Sequence, residues 1–270
     1  MNRHEKSVLN QHPCFNRAAA RWFTHIHLPV ASGCNIKCNY CSRKFDCVNE
    51  NAPGFITKTI SPREALKKVH NMMRQDVRLR VVGVAGPGEA LADKETMDTL
   101  SMLHSCYPNL IKCISTNGLM LEESLDLLQE FGVKTVTVTV NAIDPDIARK
   151  IYGWVFYKNK PHYGFAGASL LIDKQIAGIR EANSRGILVK VNTVLIPGIN
   201  DIHLKQVAIT VRKAGAFVMN VIPLVPQAEF SLLPAPSGKM LYKTRRELAP
   251  VIRQTDCREQ CLQDMRKIYC

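Results

Sequence analysis

The chain has 270 residues, of which 46% are hydrophobic and 22% charged, a composition typical of a folded protein with a sizeable core. No apolar run approaches the roughly 18 residues of a membrane span, and the start MNRHEKSVLNQHP lacks the apolar segment of a signal peptide. We therefore expect a cytoplasmic protein with no membrane partner.

Ten cysteines in such a protein need a chemical reason, because disulfides are disfavoured in the cytosol. Metal binding or catalysis is then the expected role of these cysteines. The net charge is +13, but the basic residues are spread along the chain, without a basic arm or an interleaved aromatic platform. We interpret this charge as a solvated basic surface that favours anionic ligands or acidic partners, and we expect no nucleic-acid partner.

Strands and helices are predicted to alternate along the chain. Short apolar or alternating runs predict strands at residues 25–31, 79–85, 110–115, 134–140, 187–195 and 216–224. Helical patterns predict helices at 61–73, 94–104, 121–131, 145–154, 168–184, 203–214 and from Tyr242 onward. The stretch up to Trp22 has no clear period. The alternation implies parallel βαβ units with ligand sites at the carboxyl ends of the strands, in a barrel or an open sheet.

The first predicted helix has recognisable start signals. Ser61 is a suitable N-cap, and Pro62 fits the first helical position, where the missing N–H is not needed. The sequence therefore places the beginning of this helix at Pro62.

Three cysteines follow the first predicted strand with CxxxCxxC spacing: Cys34, Cys38 and Cys41. Three thiolates in one short loop can hold three corners of a [4Fe–4S] cluster, and the missing fourth protein ligand leaves one iron open to a small molecule. A zinc site is the alternative, although zinc usually takes four ligands, often in paired CxxC motifs. Cysteines that merely line a core are another alternative. We predict a catalytic [4Fe–4S] cluster on these three residues.

This spacing resembles the signature of the radical S-adenosylmethionine (SAM) superfamily, with Tyr40 at the aromatic position before the last cysteine. The resemblance implies a partial (β/α)6 TIM-like barrel of the radical SAM type, with SAM as a cofactor. It also implies the chemistry: one electron from the cluster cleaves SAM, and the resulting 5′-deoxyadenosyl radical abstracts hydrogen.

Further residues resemble the SAM-binding positions of that superfamily. In the glycine-rich turn at 86–89, the backbone and the carboxylate would hold the methionine ammonium of SAM. Polar residues at the ends of the third and fourth predicted strands could bond the SAM carboxylate and ribose, with plain strand-end capping as their alternative. The candidates for cofactor binding are Tyr40, Gly86, Gly88, Glu89, Ser115, Asn117 and Asn141.

Longer segments resemble one family within the superfamily. They are HPCF (12–15), HLPVA (27–31), CNIKCNYCSRKFDCVNE (34–50), AGPGE (85–89), STNGLML (115–121), NAIDP (141–145), KIYGWVFYK (150–158) and VKVNTVLIPGIND (189–201). Together they look like the NifB family of nitrogenase cofactor biosynthesis proteins. Some members carry an additional C-terminal carrier domain, and this chain resembles the short form without it.

The NifB resemblance implies two additional [4Fe–4S] clusters, which are substrates. SAM donates a methyl group to a cluster sulfide, a second SAM supplies the radical, and fusion gives an [8Fe–9S–C] core with a central carbide. The additional metal ligands implied by position are His12, Cys14, Cys47, Cys113, Cys257 and Cys261. The implied partners are an iron–sulfur cluster donor, an electron donor and the cofactor carrier or scaffold proteins of nitrogenase assembly.

We expect three parts: an N-terminal extension with cluster ligands (1–24), the barrel (25–225), and a C-terminal loop and helix with cluster ligands (226–270). The C-terminal part departs from the family, which usually has CxxC where this chain has CxxxC at Cys257 and Cys261. Two other functions therefore stay open. One is a radical SAM enzyme acting on a small organic substrate, and the other is a non-catalytic iron–sulfur carrier or a zinc-dependent nucleic-acid binder.

Overall fold

The computed structural model describes residues 3–42 and 58–255. Its helices and strands are, in chain order, α1 (Arg3–Gln11), β1 (Thr24–Leu28), β2 (Ile36–Cys38), α2 (Pro62–Gln75), β3 (Leu79–Val84), α3 (Lys94–Cys106), β4 (Ile111–Thr116), α4 (Leu121–Glu130), β5 (Val133–Thr139), α5 (Pro145–Ile151), β6 (Tyr152–Tyr157), β7 (Lys160–His162), α6 (Gly164–Ser184), β8 (Leu188–Leu195), α7 (Leu204–Ala214), β9 (Val218–Pro223), α8 (Gly238–Leu248) and β10 (Arg253–Gln254). The N-terminal helix α1 was not predicted.

The six predicted strands form one parallel sheet in the order β1-β3-β4-β5-β8-β9, to which the short β10 is added beside β9. Apolar residues on the outer face of the strands pack against the connecting helices in one large buried cluster. Among the described residues β1 and β10 stay at opposite ends of the sheet, so the barrel is partial. The predicted partial (β/α)6 barrel is confirmed.

The N-terminal segment packs against the amino ends of the barrel strands. Inward-facing residues near the start of four strands share one buried cluster with residues of α1 and the turn after it: Val81, Ile111, Leu188 and Val218 with Val8, Leu9, Cys14 and Phe15. Side chains alternate between the two faces of a strand, so residues two positions further along face the interior as well. The cluster therefore closes one end of the barrel, and a ligand site has room at the other.

Local signals place the start of α2 as expected. The Ser61 hydroxyl accepts a hydrogen bond from the Glu64 N–H at 3.3 Å, and the Glu64 carboxylate accepts one from the Ser61 N–H at 2.8 Å. This capping box satisfies two N–H groups at the helix start. Pro62 is the first residue of the helix, which confirms the predicted boundary.

The predicted helix at 145–154 is wrong in its last turn. Helix α5 ends at Ile151, and β6 begins at once and pairs antiparallel with β7. β6 also pairs with β2, which carries Cys38, to form a separate three-stranded sheet. The run Tyr152–Tyr157 is rich in aromatic residues that favour strands, and its pairing with the cysteine loop decides the conformation.

The last helix also differs from the prediction. Helix α8 begins at Gly238, not at Tyr242, because the Ser237 hydroxyl caps it by accepting from the Met240 N–H at 3.1 Å. It ends at Leu248, and Cys257 and Cys261 lie outside the described residues, as does Cys47. In the part of the chain that the structure describes, none of the helices combines the length and the hydropathy needed to cross a membrane.

Candidate functional site

An open cleft with about 650 Å³ of empty space lies at the carboxyl ends of the barrel strands. Most of the residues predicted to hold the catalytic cluster and SAM line it, namely Cys34, Cys38, Tyr40, Cys41, Gly88, Glu89, Ser115 and Asn117, together with Pro87, Thr116, Thr139 and Tyr152. Gly86 and Asn141 lie outside this lining. The cleft therefore brings together five parts of the chain that are far apart in the sequence.

The cysteine loop is held by its backbone. Cys38 pairs with Tyr152 of β6, and the Asn39 N–H donates to the Ile151 carbonyl at 2.8 Å. Within the loop, the Cys41 N–H donates to the Cys38 carbonyl, and the Lys37 ammonium donates to the Cys41 carbonyl, each at 3.0 Å. These bonds turn the chain so that all three cysteines face the cleft.

A negative charge on Cys34 or Cys41 disfavours a negative charge on the neighbouring Cys38. Burial raises the pKa of the Cys38 thiol well above its usual value, and the neighbouring Cys34 and Cys41 raise this pKa further. A hydrogen bond from Tyr40 and the charge of Lys37 act in the opposite direction. A thiolate at Cys38 is therefore costly here unless a positively charged group binds it.

The donor set fits an iron–sulfur cluster better than zinc. Among the described residues, no group of three His, Cys, Asp or Glu side chains has the arrangement that a single metal ion needs. A cluster separates its cysteine ligands more widely than one ion does, and three thiolates from one loop are typical cluster ligands. None of the six described cysteines, including the three in the loop, is in a disulfide.

The glycine-rich turn is built against the cysteine loop. A Cβ atom at Gly88 would lie only 2.0 Å from the Gly33 carbonyl oxygen, so no larger residue fits there. The Gly88 N–H donates to the Ala31 carbonyl at 2.8 Å, and the Glu89 N–H donates to the Gly33 carbonyl at 2.6 Å. Gly86 has a φ of +54°, a conformation that glycine adopts without strain. These two bonds use N–H groups of the turn, whereas the ammonium of SAM would donate to carbonyl oxygens, so the contact of this turn with SAM stays a prediction.

The Glu89 carboxylate lies at the wall of the cleft and is only 4% exposed. One oxygen accepts from the Leu91 N–H at 3.1 Å and from the Thr116 hydroxyl, and the other accepts from the Asn117 N–H at 2.6 Å. A carboxylate at the wall of a cleft is a suitable partner for an ammonium group. The three bonds fix its orientation.

The three polar residues predicted at strand ends have different surroundings. Ser115 and Asn117 line the cleft, and the Asn117 side chain bonds to Asn35 at 2.7 Å and to the Leu119 N–H at 2.9 Å. Asn141 is fully buried: its amide nitrogen donates to the Tyr40 hydroxyl at 2.9 Å, and its oxygen accepts from the Val194 N–H at 2.8 Å. Asn141 lies outside the lining of the cleft and holds the hydroxyl of Tyr40, which lines it.

A second group of candidate ligands lies inside the barrel. Cys14 belongs to the buried cluster at the amino ends of the strands, and Cys113 packs against the same cluster. His12, also buried, accepts from the Cys14 N–H through Nδ1 at 3.3 Å. His27, which was not among the predicted ligands, approaches Cys113 across Gly83. A Cβ atom at Gly83 would lie 2.8 Å from the His27 Cδ2 and 2.8 Å from the Cys113 Sγ. The signal for His27 was the alternation in Thr24–Leu28, which places it on the same face as the buried His25.

Comparisons with known proteins agree with this geometry. The profile of the Radical SAM superfamily matches residues 28–210. The FeMo cofactor biosynthesis protein NifB of Methanocaldococcus infernus is 42% identical over 259 residues, which cover 95% of this chain and 85% of that protein. The protein of the same name from Chlorobaculum tepidum is 40% identical over 259 residues, 95% of this chain but only 61% of its own length.

Among solved structures, Streptococcus suis SuiB has a TM-score of 0.62, with 94% of this chain and 55% of that chain covered. At 12% identity this likeness shows the fold alone. The superfamily match covers more than half of the chain, and the relative from Methanocaldococcus infernus is matched over most of its length. The chain therefore belongs to the radical SAM superfamily and, within it, to the NifB family.

Proposed function

We propose that the chain fuses two [4Fe–4S] substrate clusters, with insertion of a SAM-derived carbide, into an [8Fe–9S–C] precursor of the nitrogenase cofactor. The observation that carries this proposal is the pairing of Cys113 with His27 inside the barrel, behind the cleft formed by the cysteine loop. A thiol and an imidazole in the barrel interior are suitable ligands for a substrate cluster. The relatives are named FeMo cofactor biosynthesis proteins, which supports a role in the biosynthesis of that cofactor.

At the cleft, Cys34, Cys38 and Cys41 would hold the resident [4Fe–4S] cluster. When bound, this cluster supplies the electron for the reductive cleavage of SAM. The Glu89 carboxylate, oriented by its three donors, would accept from the methionine ammonium of SAM, and Ser115 and Asn117 would contact its polar groups. Burial of the cleft wall keeps water away from these contacts and strengthens them.

Behind the cleft, Cys113 and His27 would bind one substrate cluster from two neighbours of β3. Cys14 and His12 belong to the N-terminal segment that closes the barrel, so they would reach the interior from the opposite end. Cys47, Cys257 and Cys261 complete the proposed ligand set. Because each part would supply cluster ligands, we propose that the chain divides into an N-terminal extension, a barrel and a C-terminal part.

The proposal has a direct test. Protein reconstituted anaerobically with iron and sulfide should contain about twelve irons per chain, from three four-iron clusters. Dithionite should drive SAM cleavage to 5′-deoxyadenosine, and the product should activate cofactor-deficient nitrogenase. About four irons per chain, with SAM cleavage but no activating product, would instead support a small organic substrate.

A further inference from the structure

The hairpin formed by β6 and β7 is joined directly to the cysteine loop. Lys37 and Cys38 pair with Trp154 and Tyr152 of β6, and the Phe156 N–H donates to the Asn35 carbonyl at 2.8 Å. A strand advances about 3.3 Å per residue, so Phe156 lies roughly 13 Å along β6 from the residue paired with Cys38. The hairpin thus offers a short path from the surface to the proposed cluster.

One face of this hairpin is apolar and open to solvent. Val155 and Tyr157 are buried on the inner face, so the alternating residues Trp154 and Phe156 share the outer face. Phe156 is 43% exposed and pairs with the exposed Pro161 of β7. Tyr163 and Phe165, which follow the hairpin, are exposed as well. A group of exposed aromatic residues on one short segment is characteristic of an interaction surface.

The surroundings of this face are basic. From residue 147 to residue 172 the sequence contains Arg149, Lys150, Lys158 and Lys160 but no aspartate or glutamate. Arg149 pairs with Asp146 at 2.8 Å, which leaves the three lysines to set the charge of the hairpin. Of the carboxylates near the hairpin, Glu122 and Glu123 are bound by Lys174 at 3.2 and 3.0 Å, and Glu229 is bound by Lys37 at 3.4 Å. An aromatic patch with a positive rim is complementary to an acidic protein.

We propose that the outer face of the β6–β7 hairpin is the docking surface for a small acidic one-electron carrier of the ferredoxin class. This inference rests on the proposed radical SAM function, in which one electron must reach the cluster on Cys34, Cys38 and Cys41 for each SAM that is cleaved. The reduced carrier loses that electron and is oxidised, and the cluster gains it. Lysines at the rim steer the carrier, and the aromatic face provides the contact.

The test compares two charge-reversed double variants. The first is Lys158→Glu/Lys160→Glu on the hairpin. The matched control is Arg63→Glu/Lys67→Glu, two exposed residues on α2, a helix that packs on α3 and β3. The probe is an acidic plant-type [2Fe–2S] ferredoxin, whose potential of about −400 mV is low enough to serve as a reductant. Its affinity for the reconstituted protein is measured by calorimetry at low and high salt, and 5′-deoxyadenosine formation is measured with ferredoxin and with dithionite.

The hairpin variant should bind the ferredoxin about tenfold more weakly at low salt, and this difference should shrink at high salt as rim charges are screened. Dithionite-driven SAM cleavage should be unchanged, and the control should bind like the wild type. The milder Lys158→Gln/Lys160→Gln should show a smaller loss, which guards against misfolding of the reversed variant. Equal affinity in the hairpin variant and the wild type, or an equal loss of affinity in the control, would overturn the proposal. Absence of dithionite-driven cleavage in the wild type would count against the proposed function instead.

Discussion

His27 and Cys113 meet across Gly83 in the interior of the barrel. A Cβ atom at Gly83 would lie 2.8 Å from the Cys113 Sγ and 2.8 Å from the His27 Cδ2, so the missing side chain is what lets the two approach. The parallel register aligns all three residues, since Gly83 pairs with His27 on one side and with Cys113 on the other. A metal cluster bound there would be within reach of both strands that flank β3.

Loss of either side chain should lower the iron content. We expect Cys113→Ala or His27→Ala to remove about four irons per reconstituted chain, because one substrate cluster loses a ligand. SAM cleavage driven by dithionite should persist, since the cysteine loop is intact. Iron analysis and 5′-deoxyadenosine formation check this. Cys106→Ala is the matched control, because Cys106 is an exposed free thiol on α3. Full iron in Cys113→Ala would show that this cysteine is an ordinary core residue.

The close approach of Gly88 to Gly33 predicts a large effect of one methyl group. In Gly88→Ala the new Cβ would overlap the Gly33 carbonyl, so the turn and the cysteine loop must separate. We expect the free energy of unfolding to fall by more than about 2 kcal/mol and SAM binding to be lost. Denaturant unfolding and calorimetry are the measurements. Gly238→Ala, where nothing lies within 4 Å of the added Cβ, should change stability by less than about 1 kcal/mol. Similar behaviour of the two variants would contradict the contact.

The orientation of Glu89 predicts a charge effect on SAM binding. Glu89→Gln keeps the size of the side chain but removes a charge-assisted hydrogen bond worth about 1.5–3 kcal/mol, so SAM should bind roughly tenfold or more weakly. Thr116→Val removes one donor to the carboxylate and leaves its charge. It should cost mainly stability, about 1 kcal/mol, with a smaller loss of affinity. If calorimetry finds the same SAM affinity in Glu89→Gln and wild type, the carboxylate does not contact SAM.

His203 predicts a stability change with pH. Burial lowers the pKa of its imidazole, and its Nε2 accepts from the Ile143 N–H at 3.1 Å, which requires the neutral ring. Between this lowered pKa and the usual value of about 6.5, the unfolded chain binds more protons than the folded one. Stability should therefore fall as pH drops below about 6.5. His203→Gln keeps an acceptor without this titration. Urea unfolding at several pH values should show a flatter curve for the variant, and parallel curves would count against the assignment.

The two C-terminal cysteines distinguish a cluster ligand role from a packing role. We expect Cys257→Ala/Cys261→Ala to lose iron but to keep the cluster on the cysteine loop and uncoupled SAM cleavage. No product that activates cofactor-deficient nitrogenase should form, because one half of the eight-iron core would be missing. Iron analysis and EPR of the reduced protein check this. Full iron content, with activity that follows stability alone, would assign these cysteines to packing.

Much of the scaffold followed from local patterns in the sequence. The six barrel strands were found because buried and alternating apolar runs depend only on which faces of a strand meet the core. The start of α2 was found because Ser61, Pro62 and Glu64 act within one turn of helix. The cysteine loop was found because its three thiols are close in sequence, and a short loop brings them together in any arrangement of the barrel.

Only the tertiary structure decided which distant residues meet. Asn141 was expected either to bond SAM or to be a polar residue that caps a strand end. Its carboxamide bonds to Tyr40 and to the Val194 N–H, because β8 lies beside β5 in the sheet. The run from Tyr152 became a strand because β2 was available to pair with it. His27 and Cys113 are 86 positions apart, and no local pattern connects them. They meet because strand order and register, set by the packing of the whole barrel, place both beside the bare backbone of Gly83.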